Sequence, residues 1–181
     1  ALASACQKRG IGYMCTTYLP QDVAVVAPFV ERFKVASFES ADLVFLAAHA
    51  GYDKPVLVST GMLESQAFRM LWDRFERPWV YAQADGEALS AALTKLKIRW
   101  LHCVSAYPAP SEALNLAVVR DTTRRHDESH QRVYTGFSDH SDPASTWTGA
   151  LAVAAGAVIV EAHLRLDGTD PANPDYPHAM T

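Results

Sequence analysis

Lys54-Pro55-Val56-Leu57-Val58-Ser59-Thr60 carries a run that is apolar at every successive position from Val56 to Val58. Strand side chains alternate between faces, so a strand apolar throughout must be covered on both sides, as in a parallel sheet flanked by helices. Val158-Ile159-Val160 repeats the pattern near the other end. Working outward from these two runs, candidate strands fall at 11–17, 33–38, 55–60, 99–105, 132–139 and 157–166. Helical periodicity falls between them, at 21–31, 41–51, 63–77, 86–96, 112–125 and 143–156. A further helix is expected over 1–8, while 76–85 fits neither period. Strand then helix, repeated along the whole chain, predicts an alternating α/β fold.

Doubly wound sheets and closed barrels both satisfy that order. No Gly-x-Gly-x-x-Gly follows any strand, so the dinucleotide-binding variety gains no support and a (β/α)8 TIM-type barrel is the expectation. A whole barrel takes eight strands and roughly 250 residues. With about six βα units in 181 residues, the chain reads as one partial barrel domain over 1–181. Its N-terminal strands and final helix are expected to be missing.

Composition narrows the function. Sixteen Lys plus Arg against 20 Asp plus Glu, a net charge of −4, lacks the basic surplus that displaces counterions from nucleic acid. The longest small-and-apolar run, 149–160, is shorter than the ~20 residues of a membrane-spanning helix. Cys6, Cys15 and Cys103 are widely spaced and odd in number, which suggests neither a disulfide framework nor a structural zinc site. No basic and apolar leader opens the chain. The expectation is a soluble cytoplasmic protein without nucleic-acid or membrane partners. The stretch 120–132, with Arg124, Arg125, His126 and His130, reads as a solvated helix end.

In a (β/α) barrel the reactive groups sit at the C-terminal ends of the strands. Polar residues close each apolar run here: Lys34 to Glu39, Ser59-Thr60, His102 to Pro108, Ser138 to Ser141, and Glu161 with His163. Alternation turns Ser138 and His140 to one face, and Glu161 with His163 likewise. On neighbouring strands, the two histidines would converge beside a carboxylate. Two imidazoles with open positions suit a divalent ion acting as a Lewis acid on a carbonyl oxygen, weakly held. Two hydrogen-bonded histidines in a barrel mouth satisfy the same spacing. Lys34 is either a snorkelling surface lysine or, turned inward, the partner of an anion. Ser37, Ser59, Thr60 and Ser138 could add hydroxyl donors around that anion. Glu161 is read as a general base, or as a structural partner of a cation.

The segments Lys34-Val35-Ala36-Ser37-Phe38-Glu39, Lys54 to Met62, His102-Cys103-Val104-Ser105-Ala106-Tyr107-Pro108-Ala109-Pro110, Gly136-Phe137-Ser138-Asp139-His140 and Glu161-Ala162-His163-Leu164-Arg165-Leu166-Asp167 together resemble the sialic acid synthase family. That family includes legionaminic and pseudaminic acid synthases and spore-coat polysaccharide homologues. The resemblance implies a (β/α) barrel that condenses phosphoenolpyruvate with an N-acetylated amino sugar such as N-acetylmannosamine, giving a nonulosonic acid and phosphate. It implies Mn2+ as cofactor, with Mg2+ or Co2+ as alternatives, held by His140 and His163. It places Thr16, Lys34, Ser37, Glu39, Ser59 and Ser138 among the substrate-binding residues, Tyr107 and Asp175 beside the sugar, and Glu161 as the catalytic residue. A homodimer is implied for the full-length protein, whose C-terminal antifreeze-like domain is not expected in 1–181. The sequence departs from the family pattern at Ala106, Ala162 and Thr17-Tyr18, and His178 is displaced from the family's Pro-Asp-His position. A truncated, noncatalytic homologue that binds metal and an anionic ligand is the alternative expectation.

Overall fold

The computed structural model describes residues 1–129 and 134–181. They divide into two compact units, Ala1–Ile98 and Arg99–Thr181, each considered by itself.

The first unit opens with helix α1 (Leu2–Lys8) and strand β1 (Met14–Thr17), followed by α2 (Pro20–Val26), β2 (Arg32–Val35), α3 (Leu43–Ala47) and β3 (Pro55–Ser59). Then come α4 (Ser65–Glu76), α5 (Pro78–Asp85) and α6 (Glu87–Leu93). The three strands are parallel and adjacent in chain order, with Thr16 beside Lys34 and Lys34 beside Leu57. Local chemistry sets the helix ends. Pro20 stands in the first turn of α2, where a missing N–H costs nothing. The Asp22 carboxylate accepts the amide of Leu19 at 3.0 Å. The helix stops at Val26 rather than running to 31: Ala27 still keeps helical geometry, but Pro28 has no N–H with which to extend the hydrogen-bond ladder. Lys54 Nζ takes up two nearby carbonyls, donating to Ala27 at 2.6 Å and Val30 at 2.7 Å. The Phe45 amide donates to Asp42 Oδ1 at 2.9 Å, capping α3.

The helix-facing side of this sheet is filled by Phe33, Val35, Val56 and Val58, all completely buried, with Phe45 and Leu46 from α3. Phe33 meets the His49 ring edge-on at 4.9 Å, and Thr17 Oγ1 lies 2.9 Å from His49 Nε2. Thr17, Phe33 and Val35 therefore point into the helical layer, and alternation turns Thr16, Lys34, Leu57 and Ser59 to the opposite face.

Residues 76–85, which fit neither period in the sequence, are mostly helical. Pro78 cannot extend α4 but is well suited to begin a helix, so the chain breaks at Arg77 and restarts as α5. Gly86, at φ 90°, ends it. Arg74 clamps the two helices, donating to Asp85 at 2.9 Å and lying 4.7 Å over the Tyr81 ring.

In the second unit, β4 (Lys97–His102), whose first two residues precede the unit boundary, is followed by α7 (Ala117–Ser129), β5 (Tyr134–Asp139), α8 (Thr148–Ala154) and β6 (Ile159–Ala162). These strands too are parallel and adjacent in chain order. Phe137 packs with Ala109, Leu114, Val119, Ala152 and Ala157, so Phe137 faces the helices while Gly136 and Ser138 face away. The expected helix over 112–125 begins as a 3-10 turn, Ser111–Ala113, and restarts at Ala117 after Asn115 takes φ 42°. Helix α7 carries the polar stretch as far as Ser129; His130 and Arg132 lie outside the described residues.

The last strand is shorter than its apolar run. It ends at Ala162, and the chain beyond pairs with its own tail: the Met180 amide donates to His163 O at 2.8 Å, and the Arg165 amide to Met180 O at 2.8 Å. Arg165 also donates to Tyr176 O at 3.0 Å while stacking 3.9 Å over that ring. The tail is thereby folded back against the residue that follows β6. Among the described residues no helix is long and apolar enough to cross a membrane.

Candidate functional site

The second unit gathers Ser138, His140, Glu161 and His163 at the ends of β5 and β6. Ser138 and Glu161 are register partners, so their side chains share a face. Ser138 Oγ donates to Glu161 Oε2 at 2.6 Å and lies 3.2 Å from His140 Nε2. On its other side, His140 Nδ1 lies 2.8 Å from the Val104 carbonyl. A carbonyl can only accept, so Nδ1 carries the proton and Nε2 keeps its lone pair. The Ser138 hydroxyl has one hydrogen, directed at Glu161, which leaves the Nε2 lone pair available to a cation. Burial is the main cause holding His140 below the ordinary imidazole range, with His163 contributing in the same direction; it is neutral at pH 7.

His163 stands directly after β6, its ring 5.3 Å from that of His140. The folded-back tail brings two more groups. Asp175 Oδ2 is 3.4 Å from His163 Nδ1, and Asp175 Oδ1 is 3.8 Å from His178 Nε2. The His178 ring is 4.4 Å from His163 and 6.1 Å from His140. Tyr107 lies beside all three, at 4.4 Å from His140, 4.7 Å from His178 and 6.3 Å from His163. Burial, then nearby Cys103, Asp175 and Glu161, pushes its phenol upward, so it stays a hydroxyl donor at pH 7. His178 is 2% exposed and neither ring nitrogen has a hydrogen-bond partner. Burial lowers its pKa below the ordinary value.

Imidazoles beside a carboxylate are a donor set that suits a divalent transition metal. The residues fit such an ion, and one donor atom each from His163, Asp175 and His178 lies within 4.8 Å of the others. The sequence pointed to His140 and His163; it did not point to His178. That residue sits in an irregular Pro-rich tail, and only the tail's pairing through Met180 delivers it.

The first unit holds the other expected residues. Thr16, Lys34 and Ser59 share one sheet face, while Ser37 and Glu39 follow β2. Lys34 is only 8% exposed, so it is not a surface lysine. The Gly61 amide donates to Ser37 Oγ at 3.2 Å, tying the segment after β2 to that after β3. Ser59 Oγ and Glu39 Oε2 are buried without hydrogen-bond partners. Leaving such groups unsatisfied is costly, and a bound polar ligand would satisfy them.

Parallel βα units with polar groups gathered at strand ends define a protein of the (β/α) class with a candidate ligand and metal site. A model of the NeuB family matches residues 1–181, and the chain belongs to that family. It is 30% identical over 180 residues to the N,N'-diacetyllegionaminic acid synthase of Legionella pneumophila, which covers 99% of this chain and 45% of that protein. The crystal structure of a spore coat polysaccharide biosynthesis protein from Bacillus subtilis superposes with a TM-score of 0.78 at 26% identity, covering 99% of this chain and 44% of the other. The N-acetylneuraminic acid synthetase of Leptospira borgpetersenii, solved with citrate, gives a TM-score of 0.76 at 24% identity over 99% of this chain and 55% of the other. The fold class expected from the sequence, α/β of the (β/α)-barrel type, is shown by these likenesses. The chain spans less than half the length of the Legionella relative.

Proposed function

We propose that the protein containing this chain is a sialic-type acid synthase, which condenses phosphoenolpyruvate with an acylated amino sugar of the N-acetylmannosamine kind and releases phosphate. The observation that carries this reading is the Ser138–Glu161–His140 arrangement beside His163, with a hydroxyl held on a carboxylate at 2.6 Å and an imidazole lone pair left open. Family membership supports it.

In balanced form, the third carbon of phosphoenolpyruvate forms a bond to the aldehyde carbon of the open-chain sugar, whose oxygen takes a proton. Water adds at the second carbon, and phosphate leaves as the ketone forms. The Glu161 carboxylate, which accepts a hydrogen bond from Ser138, would take the proton from that water. His140 and His163 would hold a divalent ion, Mn2+ first and Mg2+ or Co2+ as alternatives, which when bound polarises the sugar aldehyde. Lys34 supplies a buried positive charge for phosphoenolpyruvate, and Ser59 a buried hydroxyl without another partner. Thr16 and Ser37 are assigned to the same substrate and Glu39 to substrate binding. Tyr107 and Asp175 are assigned to the sugar. A cytoplasmic setting, where phosphoenolpyruvate is available, accompanies this reading.

The test is a phosphate-release assay on the natural protein that contains this chain, with phosphoenolpyruvate, Mn2+ and N-acetylmannosamine or its diacetylated relatives. The expected result is sugar-dependent phosphate release that falls at least about 100-fold in Glu161→Gln, within the usual range for loss of a general base. Phosphate release that ignores the sugar, or that survives Glu161→Gln unchanged, contradicts the assignment.

A further inference from the structure

We propose that His178 is a direct ligand of the divalent ion and that Asp175 is another, so that the centre holds three imidazoles and a carboxylate rather than two imidazoles alone. This rests on the metal reading above and extends it to residues of the tail.

Three observations carry it. His178 is an almost fully buried imidazole with both nitrogens lacking hydrogen-bond partners, an expensive arrangement that a ligand would relieve. Its neighbours are donors of the right kind, Asp175 Oδ1 at 3.8 Å from Nε2 and the His163 ring at 4.4 Å. Finally, the spacings of His163 to His178 and to His140 suit a common centre, and that of His140 to His178 fits the same centre only with these two rings near opposite sides of it. A ring bound through one nitrogen has its centroid roughly 3.2 Å from the ion, so two such rings lie about 4.5 to 5.2 Å apart at bond angles of 90 to 109°, and at most about 6.4 Å. The His163–His178, His140–His163 and His140–His178 separations are 4.4, 5.3 and 6.1 Å.

The arrangement changes what the site can hold. Two imidazoles alone make a weak site, whereas three imidazoles with a carboxylate satisfy four positions and still leave two open in an octahedral ion. Fixing the tail through Met180 and Arg165 keeps the third imidazole in place before the ion arrives. Asp175 would then face the ion, with the sugar reaching the open positions beside it.

The experiment loads the natural protein with Co2+, measures affinity by its visible absorption, and counts imidazole ligands by X-ray absorption at the cobalt edge. Three imidazoles are expected in the wild-type protein. His178→Ala is expected to weaken Co2+ by more than the roughly 10- to 100-fold that removal of a merely supporting neighbour costs. Asp175→Asn should weaken it less, while keeping the imidazole count at three. Because counting ligands uses the unaltered protein, a poorly folded variant does not spoil the test. A count of two, with His178→Ala binding as tightly as wild type and His163→Ala not binding, would overturn this inference while leaving the two-histidine centre intact. Failure of the wild-type protein to bind Co2+ or Mn2+ would overturn both.

Discussion

Lys34 and His178 are both polar side chains with almost no exposure, yet they reach burial by different routes. Lys34 belongs to β2, where alternation decides its face: Phe33 and Val35 occupy the helical layer, so Lys34 must turn the other way. His178 belongs to an irregular tail, and its place depends on the return of that tail to His163 through two backbone hydrogen bonds at Met180. A group carried on a strand is placed by local geometry, whereas a group carried on a tail is placed by tertiary pairing that no short window of sequence contains.

Several measurements would break or sharpen that contrast. The largest effect is expected from His163→Ala, which removes the ring common to every version of the metal centre; Mn2+ or Co2+ affinity should fall well over 100-fold, read by calorimetric titration. Lys34→Ala comes next. It should weaken phosphoenolpyruvate by about 10- to 100-fold, the worth of a charged hydrogen bond, and leave Co2+ affinity where it was. A matching loss of Co2+ would mean that the two groups do not act separately.

Gly136→Ala tests the strand-borne side of the comparison through stability. A Cβ there would crowd the Leu101 side chain and stand 2.8 Å from the Ile159 carbonyl, and overpacking of this kind costs about 1–3 kcal/mol. Thermal unfolding should show a lowered midpoint, and an unchanged one would refute the register of β4, β5 and β6. Thr17→Val is expected to be milder, about 1 kcal/mol, because it removes the hydroxyl 2.9 Å from buried His49 Nε2.

The smallest effect is in pH. His49, His102, His140 and His178 all have pKa values lowered chiefly by burial. The unfolded chain therefore takes up protons near pH 6.5 that the folded protein takes up only at lower pH. Metal-free protein should hold full stability above about pH 6.5 and lose it as pH falls below that toward the lowered folded-state values. Denaturant melts at several pH values would show this slope, and a rise in stability on acidification would contradict it.

Much of the fold was legible because its signals are local. Doubly apolar strands such as Val56 to Val58, and polar residues closing them, predict both a parallel α/β order and the shared faces of Ser138 with His140 and of Glu161 with His163, whereas Lys34 was left open between surface and interior. The 76–85 segment fitted neither period because Pro78 ends one helix and begins the next, and the second helix is held to the first by Arg74 on Tyr81 and Asp85. The 157–166 run read as one strand because apolar periodicity continues past Ala162, whereas hydrogen bonds after that point go to the tail. His178 stood out in the sequence only by its offset from the family's Pro-Asp-His position, and no role was legible for it: apart from Asp175, three residues away, the groups around it (His163, His140 and Tyr107) lie 15 residues or more away along the chain.

The central proposal is that the protein containing this chain condenses phosphoenolpyruvate with an acylated amino sugar, with a divalent ion and Glu161 required. The most direct measurement follows phosphate and nonulosonic acid together in the natural protein supplied with phosphoenolpyruvate, N-acetylmannosamine or a diacetylated analogue, and Mn2+. The account predicts that both products appear in equal amounts, and that both vanish together on chelation of the ion. Phosphate without the sugar acid, or neither product while Mn2+ is demonstrably bound, would contradict it.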